Sequence, residues 1–167
     1  MRTAATTSTP GAVSLRSVNE TSRPAHADDL RIGQRYRLGS HAITEKDLVE
    51  FARQWDPQSF HIDAAAAEAG AFGGLIASGI HTLAVFQRLA VQDVFAGWQV
   101  IAGRRLVDVG FRRPVRPGDT LTGALTIDDI AVDDRGRALV TATGVLVDQN
   151  DRTVLTTGIE VLVRTRS

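Results

Sequence analysis

The sequence predicts an α+β fold, a single domain in which a curved antiparallel sheet wraps around a long buried helix. Two observations predict it. Residues 78–96 are apolar on nearly every side of a helical projection, and a helix of that kind must be enclosed. Downstream of it the period changes from helical to alternating, and four β-type runs follow with no further helical segment. The simplest way to enclose such a helix is to curl the sheet around it.

The elements follow in chain order. Residues 1–28 are rich in Ser, Thr, Ala and Pro, which bury too little surface to offset the entropy of ordering them. They are expected to form a disordered or loosely docked tail, with the domain spanning residues 29–167. Residues 34–42 read as a short edge strand. Thr44 is suited to cap a helix whose first turn carries Glu45 and Asp47, and Leu48, Phe51 and Ala52 recur at helical spacing. Pro57 disfavours helix in the residue before it, so this helix should stop by Trp55 or Asp56. A second, short helix is expected over Ala64–Ala69, capped by Asp63.

The long helix is expected over Ser78–Ala96, with Ile80, Leu83, Val85, Phe86, Leu89, Val91, Val94 and Phe95 among its apolar residues. His81, Arg88 and Gln92 read as its polar stripe. The β-type runs lie at about 98–112, 119–131, 137–148 and 153–164. In the last, Leu155, Thr157, Ile159, Val161 and Val163 fall on one face. Turn residues separate the runs at Pro117-Gly118-Asp119, Asp133–Gly136 and Asn150-Asp151, so an antiparallel meander is expected.

Composition removes several classes of function. Lys and Arg together number 19, as do Asp and Glu, so the formal charge is zero and offers no footprint for nucleic acid. With no cysteine, disulfides, thiolate metal sites and a thiol nucleophile are excluded. No run approaches the ~18 apolar residues of a membrane helix. Residues 1–28 hold no apolar core of signal-peptide length, and a cytoplasmic location is expected.

The segment that carries chemistry is Trp55–Asp63, read as a loop between two helices. Asp56 and His61 are five residues apart, close enough for a turned chain to bring both to one water molecule. Histidine suits proton transfer near neutral pH, and a carboxylate beside it can share and orient that water. Taken alone, residues of these types more often have a bland role, Asp56 as a cap or turn residue at a helix end and His61 at the surface or in packing. His61-x-Asp63 lacks an evident third metal ligand. Ile76 stands where a nucleophile elbow ending at Ser78-Gly79 would need glycine.

The stretch from Thr44 to Phe86 resembles the MaoC-like dehydratases, a family that includes (R)-specific enoyl-CoA hydratases. The matching residues are DPQSFHID at 56–63 and AFGGLIASGIHT at 71–82, with FRRPVRPGDTL at 111–121 similar to a later strand–turn–strand segment. The family's Asp, His, Asp and helix-start Gly fall on Asp56, His61, Asp63 and Gly79. Many hydratases have the order Asp-x-Asn-Pro-x-His. Here Pro57 directly follows Asp56, and Gln58 replaces the Asn while keeping the amide. Position 87, where some relatives have a Ser contacting the catalytic Asp, is Gln87.

The resemblance implies the hot-dog fold and reversible hydration of a 2-enoyl thioester. It makes Asp56 and His61 the catalytic pair, with His61 as base towards water and Asp56 orienting it and delivering a proton to C2. Gly79 opens the buried helix, whose N-terminal N–H groups would hold the enolate oxygen. Gln58, Ser78 and Ile80 are expected to contact substrate. No cofactor or metal is expected beyond the coenzyme A of the substrate itself, with an acyl-carrier protein as the other possible handle. A homodimer is expected, which would also cover an exposed strand edge. Arg104, Arg105, Arg112, Arg113 and Arg116 are either phosphate contacts or a solvated strand face. Two other readings stay open: a hot-dog thioesterase and a non-catalytic thioester-binding protein. No Asp or Glu occurs between 78 and 92, where thioesterases of this fold more often place their carboxylate.

Overall fold

The computed structural model describes residues 23–166. Its elements are β1 (Arg35–Ala42), α1 (Glu45–Trp55), α2 (Ser59–Ile62), α3 (Ala64–Glu68), α4 (Gly79–Asp93), β2 (Val100–Phe111), β3 (Thr120–Val132), β4 (Arg137–Val147) and β5 (Thr153–Arg164), with 3-10 turns at Ala27–Asp29 and Phe95–Gly97. The five strands form one sheet in the order β1-β3-β4-β5-β2, every neighbour antiparallel. The sheet encloses α4, which is the hot-dog arrangement.

Local chemistry sets the element ends. The Thr44 hydroxyl accepts the Asp47 N–H at 3.0 Å and so caps α1. Asp63 does the same for α3, accepting the Ala66 N–H at 3.0 Å. Alternation in β3, β4 and β5 turns Leu121, Leu125, Ile127, Val140, Leu146, Val161 and Val163 inward onto α4. Phe86 fills the centre. Its ring lies over Gly144 of β4, where an added Cβ would fall 2.2 Å from the ring tip.

Four expectations need correction. The meander covers only β3, β4 and β5. β2 lies beyond β5 at the opposite edge, because residues 112–119 do not make a hairpin. Their two prolines interrupt strand pairing, and Val115 is buried with its carbonyl accepting the Ala77 N–H at 2.8 Å. This connector therefore ties the entry of α4 to the far end of β2. Next, His81 is not on a polar stripe. It is buried and stacked on Phe51 at 4.5 Å, and the exposed face of α4 runs through Ile80, Ala84, Gln87, Arg88 and Val91. Third, the Asp56–His61 segment is not all loop, since α2 occupies Ser59–Ile62. Finally, the packed domain begins before Asp29. Ala25 bridges Trp98, its N–H donating to Gly97 and its carbonyl accepting from Gln99, both at 2.8 Å, and Ala27 is buried. The rest of the expected tail, residues 1–22, lies outside the described residues.

Among the described residues, no helix is long and apolar enough to cross a membrane.

Candidate active site

Asp56 and His61 meet at the junction of three helices. Asp56 is the C-cap of α1, its N–H donating to the Ala52 carbonyl at 2.8 Å just before Pro57 ends the helix. Gln58 then starts α2, and the single turn from Ser59 to Ile62 swings His61 back towards Asp56. His61 Nε2 lies 3.4 Å from Asp56 Oδ2.

The other ring nitrogen fixes the chemistry of this pair. His61 Nδ1 is 2.7 Å from the Ile76 carbonyl oxygen, and the ring is buried. A carbonyl only accepts, so Nδ1 carries the hydrogen. In the neutral ring the lone pair is then on Nε2, facing Asp56. A second tie, Ile76 N–H to the Phe60 carbonyl at 3.3 Å, holds that segment in place.

Asp56 has a donor on each oxygen. The Ser78 hydroxyl donates to Oδ2 at 2.7 Å and the Gln58 amide to Oδ1 at 2.9 Å. These bonds, Ser78 first, then Gln58 and the nearby His61, outweigh partial burial and hold the Asp56 carboxyl below its ordinary value. Asp56 is therefore a carboxylate at neutral pH. When the ring is neutral, Nε2 and Oδ2 face one another as two acceptors. A molecule with two O–H groups satisfies both.

A cavity of about 250 Å³ opens beside His61, lined by Phe72, Ile76, Gly79, Thr82, Phe111 and Val154 among others. Gly79 begins α4 at its wall. The Phe111 ring stands so close that a Cβ on Gly79 would fall 2.8 Å from it, so the glycine is needed for packing as well as for access. By helix geometry the first N–H groups of α4 have no partner within the helix. The Ile80 N–H is taken by the Ser78 hydroxyl at 3.2 Å, and Gly79 and Thr82 are the α4 residues that line the cavity.

The remaining predicted site residues fall in different places. Ser78 is fully buried, with its hydroxyl spent on Asp56 and Ile80, so it offers no surface for direct substrate contact. Ile80 is exposed on the outer face of α4 and is not among the residues lining the His61 cavity. Gln58 is exposed, and its amide donates to Asp56 Oδ1. Gln87 lies apart from Asp56 and lines a groove against β2, so the hydroxyl on Asp56 comes from Ser78. Arg104 and Arg105 pair with Glu160 at 4.0 and 2.7 Å, as a solvated strand face would. Arg112 and Arg113 line the His61 cavity, and Arg116 straps the Phe72 carbonyl. Sequence reasoning gave no sign of the Ile76 carbonyl, since a backbone acceptor leaves no mark in residue type. Among the described residues, no group of three or more His, Cys, Asp or Glu side chains is placed to hold a metal.

The sequence profile of the MaoC like domain matches residues 28–150. The chain belongs to the MaoC-like dehydratase family. Its fold matches a MaoC-like dehydratase of Rhodospirillum rubrum with a TM-score of 0.77 at 32% identity, covering 86% of this chain and 99% of that one. The unliganded R-hydratase PhaJ1 of Pseudomonas aeruginosa matches with a TM-score of 0.67 at 25% identity, over 84% of this chain and 86% of that one. The Bacillus subtilis (strain 168) protein described as uncharacterized protein YdeM is 39% identical over 94 residues, 56% of this chain and 67% of that protein. Membership of the MaoC-like family and the hydratase neighbour support hydratase or dehydratase chemistry in general.

Proposed function

We propose that this chain adds water reversibly across the 2,3 double bond of an enoyl thioester. The observation that carries the reading is the Nδ1 bond from His61 to the Ile76 carbonyl, which leaves Nε2 and Asp56 Oδ2 as paired acceptors 3.4 Å apart. One water donates to both. Nε2 takes a proton from it as the oxygen forms its bond to C3 and the C2–C3 π pair moves onto the thioester carbonyl. The N–H groups at the start of α4, beside Gly79, hold the resulting enolate oxygen. When the enolate collapses, C2 takes the proton that the pair removed from water. Asp56 enters ionised, so it stabilises the imidazolium and orients the water. Every atom of the product comes from the thioester and one water, so no cofactor is required beyond the thioester's own handle. Arg112 and Arg113 are exposed and line the same cavity, where they supply positive charge to a phosphate-bearing handle such as coenzyme A or a carrier-protein arm.

Incubation with trans-2-enoyl-CoA substrates of short and medium length tests this by mass spectrometry of the products. Gain of one water on the intact thioester is expected. Release of free thiol without that gain would instead mark a thioesterase, and binding without turnover a thioester-binding protein.

A second copy of the chain is the partner we propose, seated along β2. This twelve-residue edge strand is exposed or half-exposed throughout, with Val100, Ile101, Leu106, Val109 and Phe111 on its surface, and Val91 of α4 lines a groove with it. A long apolar edge of this kind recruits another strand unless it is covered. Sedimentation should give twice the chain mass, and Leu106→Lys with Val109→Lys should give single chains. A wild-type protein that sediments as one chain at micromolar concentration would refute the pairing.

A further inference from the structure

We propose that Ser78 is a positioning residue, whose hydroxyl fixes the Asp56 carboxylate in the orientation that faces His61. The proposal rests on the reading that this pair performs the chemistry, and it adds the group that sets the pair's geometry.

The Ser78 hydroxyl has no freedom. The side chain is completely buried, and its oxygen accepts the Ile80 N–H at 3.2 Å. With that side of the oxygen occupied, the hydroxyl hydrogen points along the 2.7 Å contact to Asp56 Oδ2. Gln58 holds Oδ1 at 2.9 Å, so the carboxylate plane is pinned from both ends. Oδ2 is also the oxygen 3.4 Å from His61 Nε2. Ser78 therefore determines which oxygen shares the water and at what angle.

Position adds a second consequence. Ser78 is the N-cap of α4, the helix whose first residue, Gly79, lines the cavity. One residue thus joins the group that holds the water to the helix end that holds the enolate oxygen. The groups facing Asp56 are Gln58 and His61 from α2 and its start, and Ser78 from α4; His61 is the one titratable side chain among the described residues within salt-bridge distance. Among the described residues, no lysine or arginine pairs with the carboxylate. Its ionisation depends on neutral donors, and Ser78 is the strongest of these.

Serine is also a common helix cap, and a purely capping role predicts different behaviour. Glycine caps nearly as well as serine, whereas alanine caps poorly. Ser78→Gly therefore keeps the cap and removes the contact to Asp56, while Ser78→Ala removes both. The expected result is that both variants lose about ten- to hundredfold in kcat/KM, the scale of a hydrogen bond to a charged group. In both, the acidic limb of the pH profile should move to higher pH, because Asp56 then protonates more readily. Carboxyl carbon NMR of Asp56 reads the same shift without turnover, with the titration moving up towards that of an ordinary aspartate. A Ser78→Gly protein with wild-type kcat/KM and a wild-type Asp56 titration would overturn the proposal. If the wild-type chain turned over no enoyl thioester, the proposed activity would fail, and the Asp56 titration would still decide the role of Ser78.

Discussion

His61→Ala is expected to lower kcat/KM for enoyl-thioester hydration by about 10²–10⁴-fold, the usual contribution of a positioned proton-transfer group. Steady-state kinetics with a trans-2-enoyl-CoA checks it. The substitution also frees the Ile76 carbonyl and leaves a small void, so some stability is lost with the activity. Asp56→Asn gives a cleaner comparison. It keeps the volume and an oxygen for the Ser78 hydroxyl, but it removes the negative charge that stabilises the imidazolium. A loss of similar size is expected, with thermal unfolding close to wild type. The double variant should be hardly worse than either single one, because the two groups act on one water. Full activity in both single variants would remove the pair from the chemistry.

The largest effect on stability is expected at the contact between α4 and the sheet. Phe86 is fully buried, and its ring occupies the space above Gly144. Phe86→Ala should cost about 3–5 kcal/mol by lost burial and the cavity left behind. Gly144→Ala should be destabilising for the opposite reason, since its Cβ would stand 2.2 Å from the ring tip and the rigid ring has nowhere to move. Overpacking of this kind costs about 1–3 kcal/mol. In the double variant the new methyl enters the space the ring has left, so its cost should fall short of the sum by about 1 kcal/mol or more. Urea unfolding of the four proteins reads this coupling. Strict additivity would show that the two residues do not share the space.

Where a single residue decides a local conformation, the sequence was a good guide. Thr44 and Asp63 marked helix starts because their side chains satisfy an N–H three residues on. Pro57 marked the end of α1, and alternation in 153–164 marked the inner face of β5. Placement in three dimensions was less legible. That β2 pairs with β5 depends on the buried Val115 connector, which reads locally as a turn. His81 looked polar by residue type, yet its ring packs flat on Phe51, and burial lowers the pKa of its imidazole and favours the neutral ring. The candidate site shows the same division. Asp56 and His61 are visible as side-chain types at a spacing, and Gly79 through the family resemblance. The Ile76 carbonyl that orients His61 and the role of Ser78 as a donor to Asp56 exist only once α2 and α4 are brought together.

Deuterium tracing tests the central claim most directly. Hydration of trans-2-butenoyl-CoA in ²H₂O, followed by proton NMR of the product, should place one deuterium at C2 and a hydroxyl at C3, with the thioester intact. That labelled product should form with the wild-type chain and almost vanish with His61→Ala and Asp56→Asn. Labelled product formed at the wild-type rate by both variants would contradict the account, as would free acid released with no deuterium at C2.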